Sequence, residues 1–235
     1  SSAESAMMRK LAAKTAMTVA EHFRDSGEDV LLVVDSITRF AHALREIALA
    51  AGEPPVARGY APSVFAELPQ LLERAGPGLP GSGSITGLFS VLVDGEDHNE
   101  PVADAVRGVL DGHIVLDRTI ADQGRYPAIN PLSSISRLAH VAWTREEAEL
   151  VRRLRAMIAR FEETRDLRAI GAYRAGVDPE LDQAVLMTPM LYEHLTQQRD
   201  DPPSSGAFGQ LGALLADVRN RAASRDPTGA IEVTD

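Results

Sequence analysis

The stretch Val30-Leu-Leu-Val-Val-Asp35-Ser36 is a short β-branched and leucine run closed by a carboxylate. A run of this length, apolar at every position, reads as a strand buried on both faces of a parallel sheet. Asp35 then stands at the C-terminal edge of that sheet, where open α/β folds bind their ligands. Two uses of the position stay open. In nucleotide hydrolases such an aspartate holds the water shell of Mg²⁺ on the phosphates, whereas elsewhere Asp35 or Ser36 would simply cap the helix that follows. Arg39, one helical turn on, either pairs with Asp35 or reaches a phosphate.

Outward from this strand the pattern alternates. Met7, Met8, Leu11, Ala12, Met17, Ala20 and Phe23 recur at helical spacing before it, with Gly27 as a stop. Helices are predicted over 37–51 and 63–74, a loop over 76–83, a near-continuous apolar strand over 85–93, a helix over 102–110, a strand over 113–116 and a short helix to Gln123. This β/α alternation predicts an α/β layer with a mainly parallel sheet. After Arg137 the strand signals stop. Thr144 and Glu147 form a capping box, and Leu150, Val151, Leu154, Met157, Ile158 and Phe161 make one apolar stripe behind it. Helices are also predicted over 180–197, broken at Pro189, and over 208–221, with fraying from Ala222. The division expected is an α/β domain over 1–139 and a helical domain over 140–235.

Composition narrows the function classes. The chain has 235 residues and 34 Asp+Glu against 24 Lys+Arg, a net charge of −10, which opposes a nucleic-acid partner because phosphate binding needs a clustered basic surface. With 44% hydrophobic and 25% charged residues it sits near the globular average. The absence of cysteine excludes disulfides, thiolate metal sites and a cysteine nucleophile, and fits a reducing compartment. No stretch has the pattern of a signal peptide or a membrane span. The first residue is Ser1, not Met, as expected of a piece of a longer protein.

Several suggestive strings carry no chemistry. Gly76-Pro-Gly-Leu-Pro-Gly81 fits G-x-G-x-x-G, but it follows a helix and precedes a strand, the reverse of the order a dinucleotide site requires. Lys14-Thr15 lacks the glycines of a phosphate-binding loop, since Met8 and Ala13 occupy their places. Asp94, Glu96, Asp97, His98 and Glu100 lack the spacing of a calcium loop or zinc helix and read as a solvated acidic turn. His22, His42, His113, His140 and His194 have no catalytic or metal context.

Longer strings carry more. Asp35-Ser-Ile-Thr-Arg-Phe40, Arg45-Glu-Ile-Ala-Leu-Ala-Ala-Gly-Glu-Pro-Pro55, Arg58-Gly-Tyr-Ala-Pro-Ser-Val-Phe65 and Leu71-Leu-Glu-Arg-Ala-Gly76 come first, in order. They are followed by Gly83-Ser-Ile-Thr-Gly87, Asn99-Glu-Pro-Val-Ala-Asp104, Leu110-Asp-Gly-His-Ile-Val-Leu-Asp117, Tyr126-Pro-Ala-Ile129 and Ser134-Ile-Ser-Arg137. Over about 7–198 the sequence closely resembles the flagellar and type III secretion export ATPases, relatives of the catalytic subunit of rotary ATP synthases. The resemblance implies a partial RecA-like P-loop NTPase core followed by a C-terminal helical domain.

By motif match, the resemblance makes Asp35 the Walker B carboxylate associated with Mg²⁺ and Arg39 a residue near the transferred phosphoryl group of ATP. It makes Tyr126 the aromatic face for adenine and Arg137 an arginine finger acting on the neighbouring subunit. Without it, Tyr126 would be a core or turn aromatic beside Pro127 and Arg137 an ordinary surface arginine. His194 stands about where an adenine-pocket aromatic is expected. The phosphate-binding loop, the water-polarising glutamate and an N-terminal barrel are implied to lie upstream of what matches Ser1, so this chain alone is expected not to hydrolyse ATP.

The implied setting is a homo-oligomeric ring, a hexamer, in the cytoplasm and peripheral to the inner membrane at the export apparatus. Its implied partners are a central stalk, a regulator, export-gate components and chaperone–substrate complexes. The function expected is part of an ATP-hydrolysing motor for type III protein export in flagellum assembly. The alternatives are a non-catalytic ring or scaffold protein of the same fold and, more weakly, a rotary ATP synthase subunit.

Overall fold

The computed structural model describes residues 4–93, 100–202 and 206–224. They divide into two compact units at Asp111/Gly112.

In the first unit, α1 (Ala6–Asp25) is opened by Ser5, whose hydroxyl accepts from the Met8 amide, and is followed by Gly27 at φ 93°. Then come β1 (Val30–Val34), α2 (Ile37–Ala50), α3 (Pro62–Leu72), β2 (Gly76–Pro77), β3 (Ser84–Phe89) and α4 (Pro101–Val109). β1 and β3 pair in parallel from Val30↔Ile85 to Val34↔Phe89, and β2 pairs antiparallel with β3 on its other side. The 76–83 segment is therefore a hairpin, closed by Gly78 N donating to Gly83 O (3.0 Å), and not a nucleotide loop.

Met17, Ile37, Phe40, Leu44, Val64, Leu68, Ile85, Val102 and Val106 form the buried core over one face of the sheet. Arg74 ties α3 to α1 through two hydrogen bonds to Glu21 (2.8 and 2.6 Å), and Glu67 accepts from Lys10 and Lys14. The expectation that β1 is buried on both faces does not hold within this chain. Val30, Leu32 and Val34 pack on the core, while Leu31 and Val33 on the opposite face are 63% and 64% exposed, because successive side chains alternate and the described residues cover one side only.

In the second unit, β4 (Gly112–His113), α5 (Arg118–Asp122), β5 (Ile135–Ser136) and α6 (Ala139–Ala142) precede α7 (Arg145–Glu163), α8 (Arg165–Ala169), α9 (Pro179–Leu195) and α10 (Ala207–Ser224). The strand predicted over 113–116 does not join the parallel layer. β4 pairs antiparallel with β5, and Leu116 makes only an isolated bridge to Ile129. The segment from Gly112 thus groups with the helices, whereas the sequence pattern places the division at Ala139/His140.

The capping box is formed: Thr144 N donates to Glu147 Oε2 (2.8 Å), and Glu147 N to Thr144 Oγ1 (3.2 Å). Leu154, Met157 and Ile158 of α7 pack on Ala184, Met187 and Leu191 of α9 and Leu215 of α10. α9 continues through Pro189 without the predicted break. Ala222 to Ser224 belong to α10, and the rest of the tail expected to fray lies outside the described residues.

Candidate functional site

Asp35 leaves the C-terminal end of β1, where two strands are stitched to the start of α2. Ser90 N donates to Val34 O (3.0 Å) and Ile37 N to Ser90 O (2.9 Å). Thr38 Oγ1 accepts from Leu92 N (2.8 Å) and donates to Leu92 O (3.2 Å). The Asp35 carboxylate is exposed, and its Oδ1 accepts from Ser90 Oγ at 2.7 Å. Neither Asp35 nor Ser36 caps α2 with its side chain. Ser36 Oγ is buried with no partner among the described residues. The capping alternative is therefore not what these side chains do.

Arg39, exposed on the first turn of α2, forms no ion pair with Asp35 or any other described carboxylate. It borders a cleft of about 370 Å³ together with Thr38, His42, Tyr60 and Glu100. Arg9, also on this cleft, is engaged twice by Glu46 (2.8 and 2.7 Å). Tyr60 is buried, stacked on His42 and covered by the Arg45 guanidinium at 5.0 Å. Glu100, read from sequence as part of an acidic turn, is buried and caps α4 by accepting from Ala103 N (2.9 Å). Asp94, Glu96, Asp97 and His98 lie outside the described residues, and no group of three metal-ligating side chains occurs among the described ones.

Tyr126 and Arg137 belong to the second unit. The Tyr126 ring is 56% exposed, and its carbonyl is fixed by Gln197 N at 2.7 Å. Its neighbour Arg125 lies over the Tyr192 ring, 3.8 Å from the centroid, while Tyr192 donates to Glu162 Oε1 (2.6 Å). Burial and that carboxylate push the Tyr192 phenol well above its ordinary value. The crevice lined by Arg125, Pro127, Tyr192 and Thr196 holds only about 30 Å³, room for one water and not a nucleobase. His194 is exposed. Arg137 is exposed immediately after β5, and its carbonyl lies 2.9 Å from His140 Nδ1.

The structure thus brings Asp35 and Arg39 to one sheet edge in the first unit and places Tyr126 and Arg137 in the second. Sequence reasoning missed Ser90, which holds the carboxylate. Its signal was the polar residue that interrupts the apolar run over 85–93, one step beyond the Val34↔Phe89 pair.

Comparisons with known proteins match two family segments, whose boundary lies C-terminal to the unit boundary at Asp111/Gly112. The model of the ATP synthase alpha/beta family, nucleotide-binding domain, matches residues 1–136, and that of the T3SS EscN ATPase C-terminal domain matches 143–209. The flagellum-specific ATP synthase of Agrobacterium fabrum is 62% identical over 212 residues, covering 90% of this chain and 45% of that protein. The Bacillus subtilis protein of the same name is 50% identical over 197 residues, covering 84% and 44%. Among solved structures, the assembled ATPase EscN from the enteropathogenic E. coli type III secretion system superposes with a TM-score of 0.83 at 42% identity, over 91% of this chain and 50% of that one. EscN in complex with its central stalk EscO gives a TM-score of 0.78 at 41% identity, over 91% and 50%. The chain spans about half the length of the curated relatives it matches.

Proposed function

This chain belongs to the ATP synthase alpha/beta family, and from that membership we propose that it is part of an ATP-hydrolysing ring motor that energises type III protein export for flagellum assembly. The observation that carries the reading is the end of β1. There an exposed carboxylate is oriented by Ser90, and an arginine without a carboxylate partner among the described residues stands one helical turn away.

The residues present fit the group that the family implies. Asp35 and the orphaned Ser36 hydroxyl are hard oxygen donors, and Mg²⁺ takes one or two such protein ligands and completes its shell with water and phosphate. Asp35 would hold the ion in this way, and the bound ion would supply charge neutralisation at the phosphates. Arg39 would bind the transferred phosphoryl group, the exposed Tyr126 ring would stack on adenine, and Arg137 would complete the site of the neighbouring protomer.

An oligomeric assembly and a central stalk are supported by the likeness to assembled EscN and to its complex with EscO, and the oligomer proposed is a hexameric ring. A regulator, export-gate components and chaperone–substrate complexes are the further partners, at a cytoplasmic site peripheral to the inner membrane. No helix of the described residues is long and apolar enough to cross a membrane.

The test uses the full-length protein. Arg137→Ala is expected to lower ATP turnover by 10³-fold or more, on the order of an arginine finger's contribution. Mixing Arg137→Ala with Asp35→Ala protomers should restore part of it, since some interfaces then hold one intact copy of each residue. Absence of turnover in the unmodified ring would instead make it a non-catalytic scaffold, and full turnover in both single variants would remove Asp35 and Arg137 from the site. Loss without recovery on mixing would place Arg137 within its own protomer's site.

A further inference from the structure

The approach to Arg137 is held by side chains that no motif records. Leu132, Ser133 and Ser134 present three successive carbonyls, and each meets a side-chain nitrogen. Arg155 of α7 donates from Nη2 to Leu132 O (2.9 Å) and from Nη1 to Ser134 O (3.0 Å). His113 Nε2 lies 3.0 Å from Ser133 O, a donor in the Nε2–H tautomer. The amides of Leu132 and Ser133 both go to Asn130 Oδ1 (3.0 and 3.1 Å), and Asn130 Nδ2 donates to Asp117 Oδ2 (3.0 Å). Ser134 Oγ donates to Asn130 O (2.7 Å) and accepts from Val115 N (3.0 Å). β5 and Arg137 follow at once.

We infer that Arg155 is a positioning residue for Arg137, its guanidinium fork fixing the loop that aims the arginine at the neighbouring protomer. The inference rests on the proposed role of Arg137 in trans. The half-buried Arg155 makes no ion pair with any described carboxylate. Both of its terminal nitrogens are spent on carbonyls of this one loop. The two carbonyls are met by the two ends of a rigid planar fork, whereas a lysine would have to direct three donors from one nitrogen on a flexible stem, with no fixed spacing between them. A shift of about 1 Å in a group that acts on a transition state costs on the order of 10²-fold in rate.

The experiment is a double-mutant cycle in the full-length ring, with kcat and KM for ATP measured separately. Arg155→Ala is expected to lower kcat by about 10²-fold, and Arg155→Lys by about 10-fold, with KM within about twofold in each. The deciding variant adds Arg155→Lys to Arg137→Ala. If Arg155 acts through Arg137, the pair turns over within about twofold of Arg137→Ala alone, because the aimed group is already gone. A purely structural arginine would instead multiply the two losses, and that result overturns the inference. So does a kcat within twofold of wild type in Arg155→Ala when Arg137→Ala has lost its activity. Should Arg155→Ala fail to assemble, the lysine cycle decides alone. Unchanged turnover in Arg137→Ala itself would refute the proposed function, and the inference with it.

Discussion

Two glycines four residues apart should respond to the same substitution with opposite signs. A methyl built on Gly112 lands 2.5 Å from Ile135 O and 3.1 Å from Ser136 Cα. Carbon and oxygen seldom approach below about 3.3 Å, so Gly112→Ala must open the β4–β5 pair by roughly 0.8 Å. Both obstructing atoms are backbone, so no side-chain rotation relieves them. Overpacking of this kind costs about 1–3 kcal/mol, a fall in Tm of roughly 2–4 °C per kcal/mol for a chain of this size. The displaced strand leads directly into Arg137, so in the full-length ring kcat should fall by ten- to a hundredfold with little change in KM. Gly108, exposed in α4, has no atom within 4 Å of the same methyl. Gly108→Ala should therefore stabilise by up to about 1 kcal/mol through the helix preference alone. Thermal melts of the two variants under one buffer, followed by turnover of the corresponding rings, check both halves. A Gly112→Ala protein that melts at or above Gly108→Ala would refute the reasoning.

Thr188, fully buried in α9, has a hydroxyl without a partner among the described residues. Thr188→Val keeps the shape and removes the desolvated group, so the urea midpoint should rise by the equivalent of about 1 kcal/mol; a fall in the midpoint would show that the hydroxyl is satisfied. Acid should weaken the first unit through Glu21 and Glu67. Hydrogen bonds from Arg74 hold the Glu21 carboxyl below its ordinary value, while burial pushes Glu67 up but is outweighed by hydrogen bonds from Lys10 and Lys14. Both folded-state pKa values lie below the unfolded ones, so the stability they add is present above about pH 4.5 and disappears as pH falls through the folded values. The stability difference between wild type and Glu21→Gln should accordingly shrink between pH 5 and 3 in urea titrations, and an unchanged difference at pH 3 would count against the ion pair.

Much of the fold was legible because hydrophobic period and caps act locally. Gly27 follows α1 as its stop, Thr144 and Glu147 open α7, and the apolar run of β1 ends at Asp35 as its pattern predicts. The failures are of another kind. A run apolar at every position does not say whether both of its faces are covered, and Leu31 and Val33 are not covered here. The 113–116 segment has the composition of a sheet strand, but pairing is decided by which backbone reaches it, and β5 does so at Gly112, where there is no Cβ to obstruct it. Pro189 removes one donor from α9, yet Met187 and Leu191 on either side of it are buried in the helical core, and that burial outweighs the roughly 3 kcal/mol intrinsic penalty of a helical proline.

The candidate site divides along the same line. Asp35, Arg39, Tyr126 and Arg137 stand out in the sequence as candidates because each sits in a string whose residue types are themselves the signal. Their supports were not, because a carbonyl carries no residue identity. Arg155 binds Leu132 and Ser134 through main-chain oxygen, so any residues in those places would leave the same bonds available. In sequence it reads as one more arginine on the polar face of α7, beside Arg152 and Arg153. Ser90 shows a milder form of the problem. It meets Asp35 only because the parallel register sets Val34 beside Phe89, and one further step brings hydroxyl and carboxylate together at 2.7 Å. A motif thus identifies the groups that would touch a nucleotide, while the precision with which they are held depends on contacts to backbone. Substitutions at Arg155 and Gly112 should therefore act on Arg137 while leaving every recognisable string of the chain intact.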